Sequence, residues 1–362
     1  MLNKLLDLDR YYTIGLDVGS SAVKMVQVTR NGHGLVVNAA ASQDFEITAE
    51  DDDVAIKTKA VAAIKTCYKR LGLKVNARHA VCGVSGPEVA TRSFSLPAVE
   101  PERLQTVIMA EAAEVCPFNV RQNRFCYQLV APGAYAGDQT QESGKERTGI
   151  IAAATNMVVS EKRRIVESAG LHCAIIDVNG LAMANLFNEC EKQPAGRTIV
   201  LVNVRNSWVN MAIISDTALP FIRDLNHGGR NIVASIAQER GLTEAIVRDV
   251  MRNRNDNAEM KLAVSQGMIN ACGRLARDIS ETLRFHMTQE HSGPVEAVYV
   301  CGGFAPAEGF VSALSSLLNQ QVKLWNPFKQ MKRSNDAAGL GSLLEERGSA
   351  FVVAAGLGMR SI

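Results

Sequence analysis

The sequence contains one pattern twice: a predicted β-strand, a short polar turn and a second predicted strand. The first copy spans residues 12–28 and the second spans residues 198–214. Apolar side chains dominate both strands of each copy, as expected of a β-hairpin with a buried face. An internal repeat of this kind predicts two similar lobes that face a cleft.

The first turn carries side chains suited to phosphate binding. Gly19 allows the backbone to approach an anion, and the N–H groups of the turn can point at phosphate oxygens. Ser20, Ser21 and Lys24 add hydrogen-bond donors and positive charge. Asp17, where the first strand ends, could hold a hydrated metal ion or orient a water. The alternative is an ordinary hairpin turn, which also favours Asp, Gly and Ser.

A second glycine-rich step lies late in the chain. Residues 295–301 form a predicted buried strand that runs into Gly302 and Gly303, and a predicted helix follows. Earlier, Gly228 and Gly229 open another predicted helix. A strand–Gly-Gly–helix step places backbone amides at a helix N-terminus, where a nucleotide phosphate or ring can lie close to the main chain.

Composition and charge exclude several classes of protein. The 362 residues are 47% hydrophobic and 21% charged, which is typical of a globular chain of two lobes or domains. A formal net charge of +2 and few aromatic residues argue against nucleic acid as a partner. The eight cysteines form no C-x-x-C pair and fit reduced core thiols of a cytoplasmic protein. No apolar run is long enough to span a bilayer.

Two short segments near the start of the chain each leave an alternative open. Residues 1–6 fit either a lead-in turn packed on the sheet or a short helix that touches a membrane or partner. The acidic run Glu50 to Asp53 is interpreted as the first turn of a helix that stops at Gly72. A metal site is the alternative for those acids.

The region between the two hairpins predicts an inserted α/β subdomain. A strand over residues 88–96, a helix and a strand over 124–130 follow one another, and a polar loop over 131–148 closes the insert. The apolar face of the helix includes Leu104, Val107, Ile108 and Val115. Residues 149–155 are predicted to restart the main sheet, and residues 192–196 are the best linker candidate.

Seven short motifs then occur in an order that matches a known family. They are the segment from Ile14 to Lys24, Ser95-Leu96-Pro97, the helix end from Glu111 to Phe118, Ala169-Gly170-Leu171 with Ile176-Asp177-Val178, the segment from Val300 to Phe304, Asn326-Pro327-Phe328, and the segment from Ala354 to Arg360. Together they cover essentially the whole chain. The chain resembles the PilM family of type IV pilus assembly proteins, in the actin-like ATPase superfamily.

This resemblance implies an α/β, actin-like ATPase fold with an FtsA-like architecture. Each of two lobes would contain a mixed five-stranded sheet flanked by helices. Lobe 1 would span residues 1–191 as subdomain 1A, with subdomain 1C inserted at about 86–148. Lobe 2 would span 192–348 as subdomains 2A and 2B, with 2B at about 228–292, and residues 349–362 would return to 1A.

The resemblance also implies ligands and partners. The expected cofactors are ATP and Mg²⁺ in the interlobe cleft, with Asp17 holding the metal through water. The predicted nucleotide-binding residues are Asp17, Gly19, Ser20, Ser21, Lys24, Asn203, Asn206, Ser207, Gly228, Gly229, Gly302 and Gly303. The expected partner is the N-terminal peptide of a PilN-like membrane protein, bound in a groove between 1A and 1C, and it would hold this cytoplasmic protein at the inner membrane. Pilus motor ATPases and a second copy of the chain are further candidate partners.

The sequence departs from the family pattern where catalysis would occur. The second hairpin usually reads D-x-G, and here Asn203 and Arg205 stand at those places, followed by Asn206. An amide cannot anchor hydrated magnesium as a carboxylate does. Asn179 stands where relatives often carry glutamate or glutamine, and it cannot act as a base. These departures predict little or no ATP hydrolysis.

Three functions therefore compete. The first is a nucleotide-responsive adaptor of the pilus or a related secretion machine, and the second is a scaffold of the same complex that binds no nucleotide. The third is an active ATPase or sugar-kinase-like phosphotransferase, which would need a catalytic carboxylate in the cleft. Only Asp17 and Asp177 are candidates for that carboxylate.

Overall fold

The computed structural model describes residues 13–32, 34–48, 50–73, 78–97, 99–130, 146–191, 195–289, 293–334 and 340–360. The chain divides into two compact units. Unit 1 comprises Met1–Val84, Asn156–Glu191 and Asn326–Ile362, and unit 2 comprises Ser85–Thr155 and Lys192–Trp325. The predicted segment 1–6, and most of the predicted loop and linker, lie outside the described residues. The predicted boundaries of the four subdomains stay predictions.

The secondary structure follows a mixed α/β order. The strands are β1 (Thr13–Val18), β2 (Ala22–Asn31), β3 (Gly34–Asp44), β4 (His79–Val84), β5 (Val89–Pro97), β6 (Arg124–Leu129), β7 (Glu146–Ala154), β8 (His172–Val178), β9 (Thr198–Val204), β10 (Val209–Ser215), β11 (Phe221–Leu225), β12 (Val295–Cys301), β13 (Gln321–Leu324) and β14 (Lys332–Arg333). The helices are α1 (Asp53–Leu71), α2 (Pro101–Val115), α3 (Asn156–Ser168), α4 (Asn179–Cys190), α5 (Gly229–Arg240), α6 (Glu244–Met251), α7 (Ala258–Met287), α8 (Phe310–Leu317), α9 (Leu340–Arg347) and α10 (Val352–Gly358).

The main sheet of unit 1 has the order β14-β3-β2-β1-β4-β8. Strand β2 pairs antiparallel with both β1 and β3. Strand β4 pairs parallel with β1, and β8 pairs parallel with β4. One face packs on α1 and α3 through residues such as Leu16, Ile64 and Val166. The other face packs on α4 and α10 through Val81 and Leu357. The sheet thus has helices on both faces, with the two-residue β14 as a sixth strand.

Helix α1 shows how the local sequence sets these elements. Asp52 caps its N-terminus, since the carboxylate accepts a hydrogen bond from the Ala55 N–H at 2.7 Å. Gly72 ends the helix with φ of +58°. Asp51 accepts from Thr48 and from the Lys59 ammonium. The acidic run is therefore a helix start, as predicted, and the described residues contain no cluster of His, Cys, Asp or Glu that could hold a metal.

The main sheet of unit 2 repeats this plan with the order β11-β10-β9-β12-β13. An antiparallel hairpin, β9 and β10, extends to β11, and β12 and β13 add parallel to β9. Its core joins Val202 and Val300 of the sheet to Ile236 of α5, Leu275 of α7 and Phe310 of α8. The predicted internal repeat is therefore a repeat of sheet topology.

The predicted insert is a small sheet, β5-β7-β6, covered by α2. Leu104, Ile108 and Ala112 of α2 pack on Phe94 and Ile151. The prediction that residues 149–155 restart the main sheet is wrong, because β7 pairs antiparallel with β5 and with β6. An apolar run such as β7 shows that a strand is buried, but its composition does not say which sheet contains it. No helix among the described residues is long and apolar enough to cross a bilayer.

Candidate functional site

The first predicted turn brings a carboxylate and an ammonium together. Asp17 and Lys24 lie opposite each other in the β1–β2 ladder. Their Oδ2 and Nζ atoms are 3.9 Å apart, and the two side chains are only 6% and 11% exposed. The lysine charge offsets the carboxylate in this nearly buried setting. Magnesium held through Asp17 would therefore compete with Lys24 for the carboxylate.

The backbone of this turn is partly committed to the hairpin itself. The Gly19 N–H donates to the Ala22 carbonyl at 2.9 Å, and the Ser21 carbonyl accepts from the Phe45 N–H at 2.9 Å. The Ser20 side chain is exposed. The Lys162 ammonium lies 3.4 Å from the Val18 carbonyl oxygen. Two hydroxyls and two ammonium groups thus flank the turn, which fits a phosphate better than a metal.

A cavity of about 240 Å³ lies beside this turn within unit 1. Its lining includes Gly19, Ser20 and Lys162, with Lys57 and Glu161 among the charged groups. Lys57 and Glu161 form an ion pair with a 3.4 Å separation. The cavity is smaller than most sites that enclose a drug-sized ligand.

Asp177, the other candidate carboxylate, is engaged at both oxygens. Oδ1 accepts from the Val178 N–H at 2.8 Å, and Oδ2 accepts from Arg360 Nε at 2.7 Å. The Arg360 carbonyl in turn accepts from the Thr13 hydroxyl at 2.8 Å. Asp177 therefore ties the end of the C-terminal helix to the main sheet. Both segments belong to the sequence motifs of the family resemblance, but nothing in the sequence pairs Asp177 with Arg360.

Two glycines let helices pack tightly on this face of the sheet. A Cβ on Gly15 would overlap the Ala354 carbonyl oxygen and lie 2.9 Å from Gly358 Cα. A Cβ on Gly83 would overlap the side-chain oxygen of Asn179. Asn179 is 2% exposed and is the first residue of α4. It is packed against Gly83 of β4.

The second predicted turn is joined to the start of α5 by backbone hydrogen bonds. The Arg205 and Asn206 carbonyls accept from the Gly229 and Arg230 N–H groups, each at 2.8 Å. The Asn231 N–H donates to the Gly228 carbonyl at 3.0 Å. These are the amides that a helix N-terminus would otherwise offer to an anion. A phosphate at this end of α5 would have to displace the two turn carbonyls.

The glycines predicted to approach a nucleotide differ sharply in their surroundings. A Cβ on Gly228 would lie 2.5 Å from the Asn206 carbonyl oxygen, and one on Gly229 would overlap the Phe304 ring. Gly302 has φ of +98°, and its Cβ would lie 2.8 Å from Val204 N. Apart from its own chain neighbours, no described residue has an atom within 4 Å of a Cβ on Gly303. Of these four glycines in the described structure, Gly303 thus leaves room for a ligand, since protein atoms fill the space at the other three.

Asn203 lies in a row of polar side chains that crosses three strands. Its amide nitrogen donates to Asn210 Oδ1 at 3.1 Å, and the Asn210 amide nitrogen donates to Asp224 Oδ1 at 2.7 Å. Asp224 Oδ2 accepts from the Gly86 N–H at 2.6 Å. Burial raises the pKa of Asp224, while the hydrogen bonds from Gly86 and Asn210 and the charge of Arg205 oppose that rise. The sequence signal for this row is a polar residue that interrupts the apolar pattern of each of three strands.

Comparison with known proteins adds a family to this geometry. A family model described as "Type IV pilus assembly protein PilM" matches residues 15–362. A solved "PilM-PilN type IV pilus biogenesis complex" matches with a TM-score of 0.76 at 21% identity, over 96% of this chain and 98% of that chain. The ethanolamine utilization protein EutJ from Carboxydothermus hydrogenoformans matches with a TM-score of 0.55 at 14% identity, over 96% and 89% of the two chains.

A diol dehydratase-reactivating factor, solved in nucleotide-free form, matches with a TM-score of 0.51 at 9% identity, over 96% of this chain and 98% of that chain. At such identities these similarities concern the fold. They confirm the predicted α/β, actin-like ATPase fold.

Proposed function

Because the chain belongs to the family of the type IV pilus assembly protein PilM, we propose that it docks the N-terminal tail of a PilN-like membrane protein. The observation that carries this proposal is the family match over residues 15–362. The similarity to a solved PilM-PilN complex over 96% of this chain supports it. Docking of that tail would hold the protein at the inner membrane as a peripheral component of the pilus assembly complex.

The insert is the surface that we propose for the tail. Within its sheet, β7 lies in the centre and β6 is an edge, paired among the described strands with β7. An extended peptide can add to such an edge through main-chain hydrogen bonds. Along β6, exposed Arg124, Cys126 and Gln128 alternate with half-buried Phe125 and Tyr127. A peptide with alternating apolar residues would find one apolar and one polar side along this edge.

We further propose that the protein binds ATP and hydrolyses it slowly or not at all. The hydroxyls and ammonium groups at the first turn support phosphate binding. Slow hydrolysis is supported by the engagement of the candidate carboxylates: Asp177 is held by Arg360, and Asp17 faces Lys24. When bound, Mg²⁺ would neutralise phosphate charge, and Asp17 would hold it through water.

A second candidate is a scaffold of the same complex that binds no nucleotide. The observation that favours it is the occupation of the first amides of α5 by the Arg205 and Asn206 carbonyls. In this case the first turn is an ordinary hairpin turn, and Lys24 serves to neutralise Asp17. Calorimetric titration of the purified protein with MgATP separates the two candidates, since only the first predicts a saturable heat of binding.

Protection of a thiol tests where the tail docks. Cys126 is exposed on β6, whereas burial raises the pKa of Cys67 and Cys272 to about 12 and keeps them protonated. Bound peptide should slow alkylation of Cys126 by iodoacetamide. Mass spectrometry of the full chain measures the rate of this alkylation. A Cys126→Ser variant, which should still bind the peptide, identifies the modified site. Peptide that binds with no change in Cys126 alkylation would place the docking surface elsewhere.

A further inference from the structure

Three polar side chains form a row across the hairpin strands of unit 2. Asn203 of β9 pairs in register with Asn210 of β10, which pairs in register with Asp224 of β11. Asn203 is 3% exposed and Asn210 is fully buried. Buried polar groups of this kind are retained only when hydrogen-bonded, and both bonds of this row are made.

The chemistry of the groups fixes the direction of these hydrogen bonds. An ionised Asp224 can only accept, so Asn210 must turn its NH₂ group toward Asp224 and its oxygen toward Asn203. Residue 203 must then donate, which an asparagine does and an ionised aspartate cannot do. The observed bonds, at 3.1 Å and 2.7 Å, have this direction. The carboxylate at one end therefore dictates the residue type at the other.

The far end of the row holds the entry of the insert. Asp224 Oδ2 accepts from the Gly86 N–H at 2.6 Å, and Gly86 has φ of +108°. Two residues later Glu88 is tied to the exit of the insert, since its carbonyl accepts from the Thr155 N–H at 3.0 Å. Strand β5 lies beside β11 in the same unit. The single carboxylate thus links the second hairpin to the base of the insert.

We propose that Asn203, Asn210 and Asp224 form a directional hydrogen-bond relay that fixes the base of the insert to the second hairpin. If residue 203 becomes an acceptor, either the side-chain amide of Asn210 turns over or two oxygens face each other. Either event weakens the hydrogen bond from the Gly86 N–H to Asp224. The proposal goes beyond the proposed function, because it needs neither a nucleotide nor a partner. It also gives a physical reason for asparagine at position 203.

If the relay is directional, the donor and acceptor roles along it can be exchanged by changing both of its ends together. In an Asn203→Asp variant, the new carboxylate meets the Asn210 oxygen, and the Gly86 amide should exchange about tenfold faster, as for a loss of about 1.4 kcal/mol. In the double variant with Asp224→Asn, Asn210 turns over and donates to residue 203. Residue 224 then donates to Asn210 and still accepts from Gly86. Exchange at Gly86 should return to near the original rate.

Hydrogen–deuterium exchange of the full chain, read on peptides that cover residues 85–97, makes this measurement. Asp224→Asn alone should have a smaller effect, because Asn210 and Asn203 can both turn their amides. Asp216→Asn is the matched control: this carboxylate accepts from the Gly196 N–H at 3.1 Å in the same unit, and among the described residues it makes no hydrogen bond or ion pair with the insert. It should leave exchange at residues 85–97 unchanged.

Two results would overturn the proposal. One is an Asn203→Asp variant that leaves Gly86 exchange unchanged, and the other is a double variant that exchanges as fast as Asn203→Asp alone. Should Asn203→Asp fail to fold, Asn203→Ala removes the donor without adding an acceptor and should speed Gly86 exchange by about threefold, or about 0.65 kcal/mol. Unchanged exchange in that variant also contradicts the relay.

Discussion

Replacement of Arg360 tests whether the C-terminal helix is anchored through Asp177. The side chain of Asp177 is 8% exposed, and that of Arg360 is 38% exposed. An Arg360→Met variant leaves the nearly buried carboxylate with the Val178 N–H as its remaining donor in the described structure. Loss of a charge-assisted hydrogen bond from such a group should lower the free energy of unfolding by about 2 kcal/mol.

Substitution of Asp177 instead of Arg360 should lower the free energy of unfolding less, since the Arg360 guanidinium reaches water when its partner is removed. Asp177→Asn keeps an acceptor oxygen and should lower the free energy of unfolding by about 1 kcal/mol. The double variant should cost less than the sum, with a coupling free energy of about 1 kcal/mol. Denaturant unfolding, with hydrogen exchange of the β8 amides as the probe for unit 1, measures the free-energy changes of the two single variants and the double variant.

A matched control is available in the same unit. Arg347 and Asp44 form an ion pair at 3.4 Å whose side chains are 46% and 54% exposed. Because both groups are well solvated, Arg347→Met should change stability little. Asp177 does not anchor the helix if Arg360→Met destabilises unit 1 no more than Arg347→Met does, or if the free-energy changes caused by the substitutions at positions 177 and 360 are additive.

Three further outcomes are expected. Gly302→Ala should lower the thermal unfolding temperature, because residue 302 has φ of +98°. Gly303→Ala should leave that temperature unchanged and weaken MgATP binding in calorimetry. The opposite pattern would contradict the site assignment. Burial and the charge of Arg274 lower the pKa of His227 from 6.5. As the pH falls, His227 therefore takes up its proton in the unfolded chain first, and the free energy of unfolding should decrease below about pH 6.5. His227→Leu should reduce this pH dependence in denaturant titrations. Phosphate release from MgATP should stay at background, and Asn203→Asp combined with Asn179→Glu should raise it. Robust turnover by the original chain would show that these asparagines do not limit catalysis.

The fold was largely predictable because its main signals are local patterns that occur twice. The two hairpins, at residues 12–28 and 198–214, predicted two equivalent sheets, and β1 and β9 occupy equivalent places in them. The acidic start of α1 and its stop at Gly72 were also readable, since capping depends on neighbours in sequence. Assignment of β7 to a sheet failed, because pairing between distant strands leaves no mark on the composition of one strand.

The candidate site was predictable only as a set of residue types. Turn chemistry predicted a phosphate-binding role for Ser20 and Lys24, which stays a prediction. The sequence did not show that Phe304 fills the space above Gly229, or that turn carbonyls take up the amides of α5. Such contacts join segments that lie far apart in the chain. A glycine required for internal packing therefore looks the same in sequence as one required by a ligand.

Titration with the tail of the PilN-like membrane protein tests whether this PilM-family protein docks it. A synthetic peptide of the N-terminal residues of the PilN-like partner would be added to the full chain in a calorimeter, with a scrambled peptide as control. We predict saturable binding of the native peptide alone, at one peptide per chain, together with protection of Cys126 on the edge strand β6. Equal heats for the native and the scrambled peptide would contradict it.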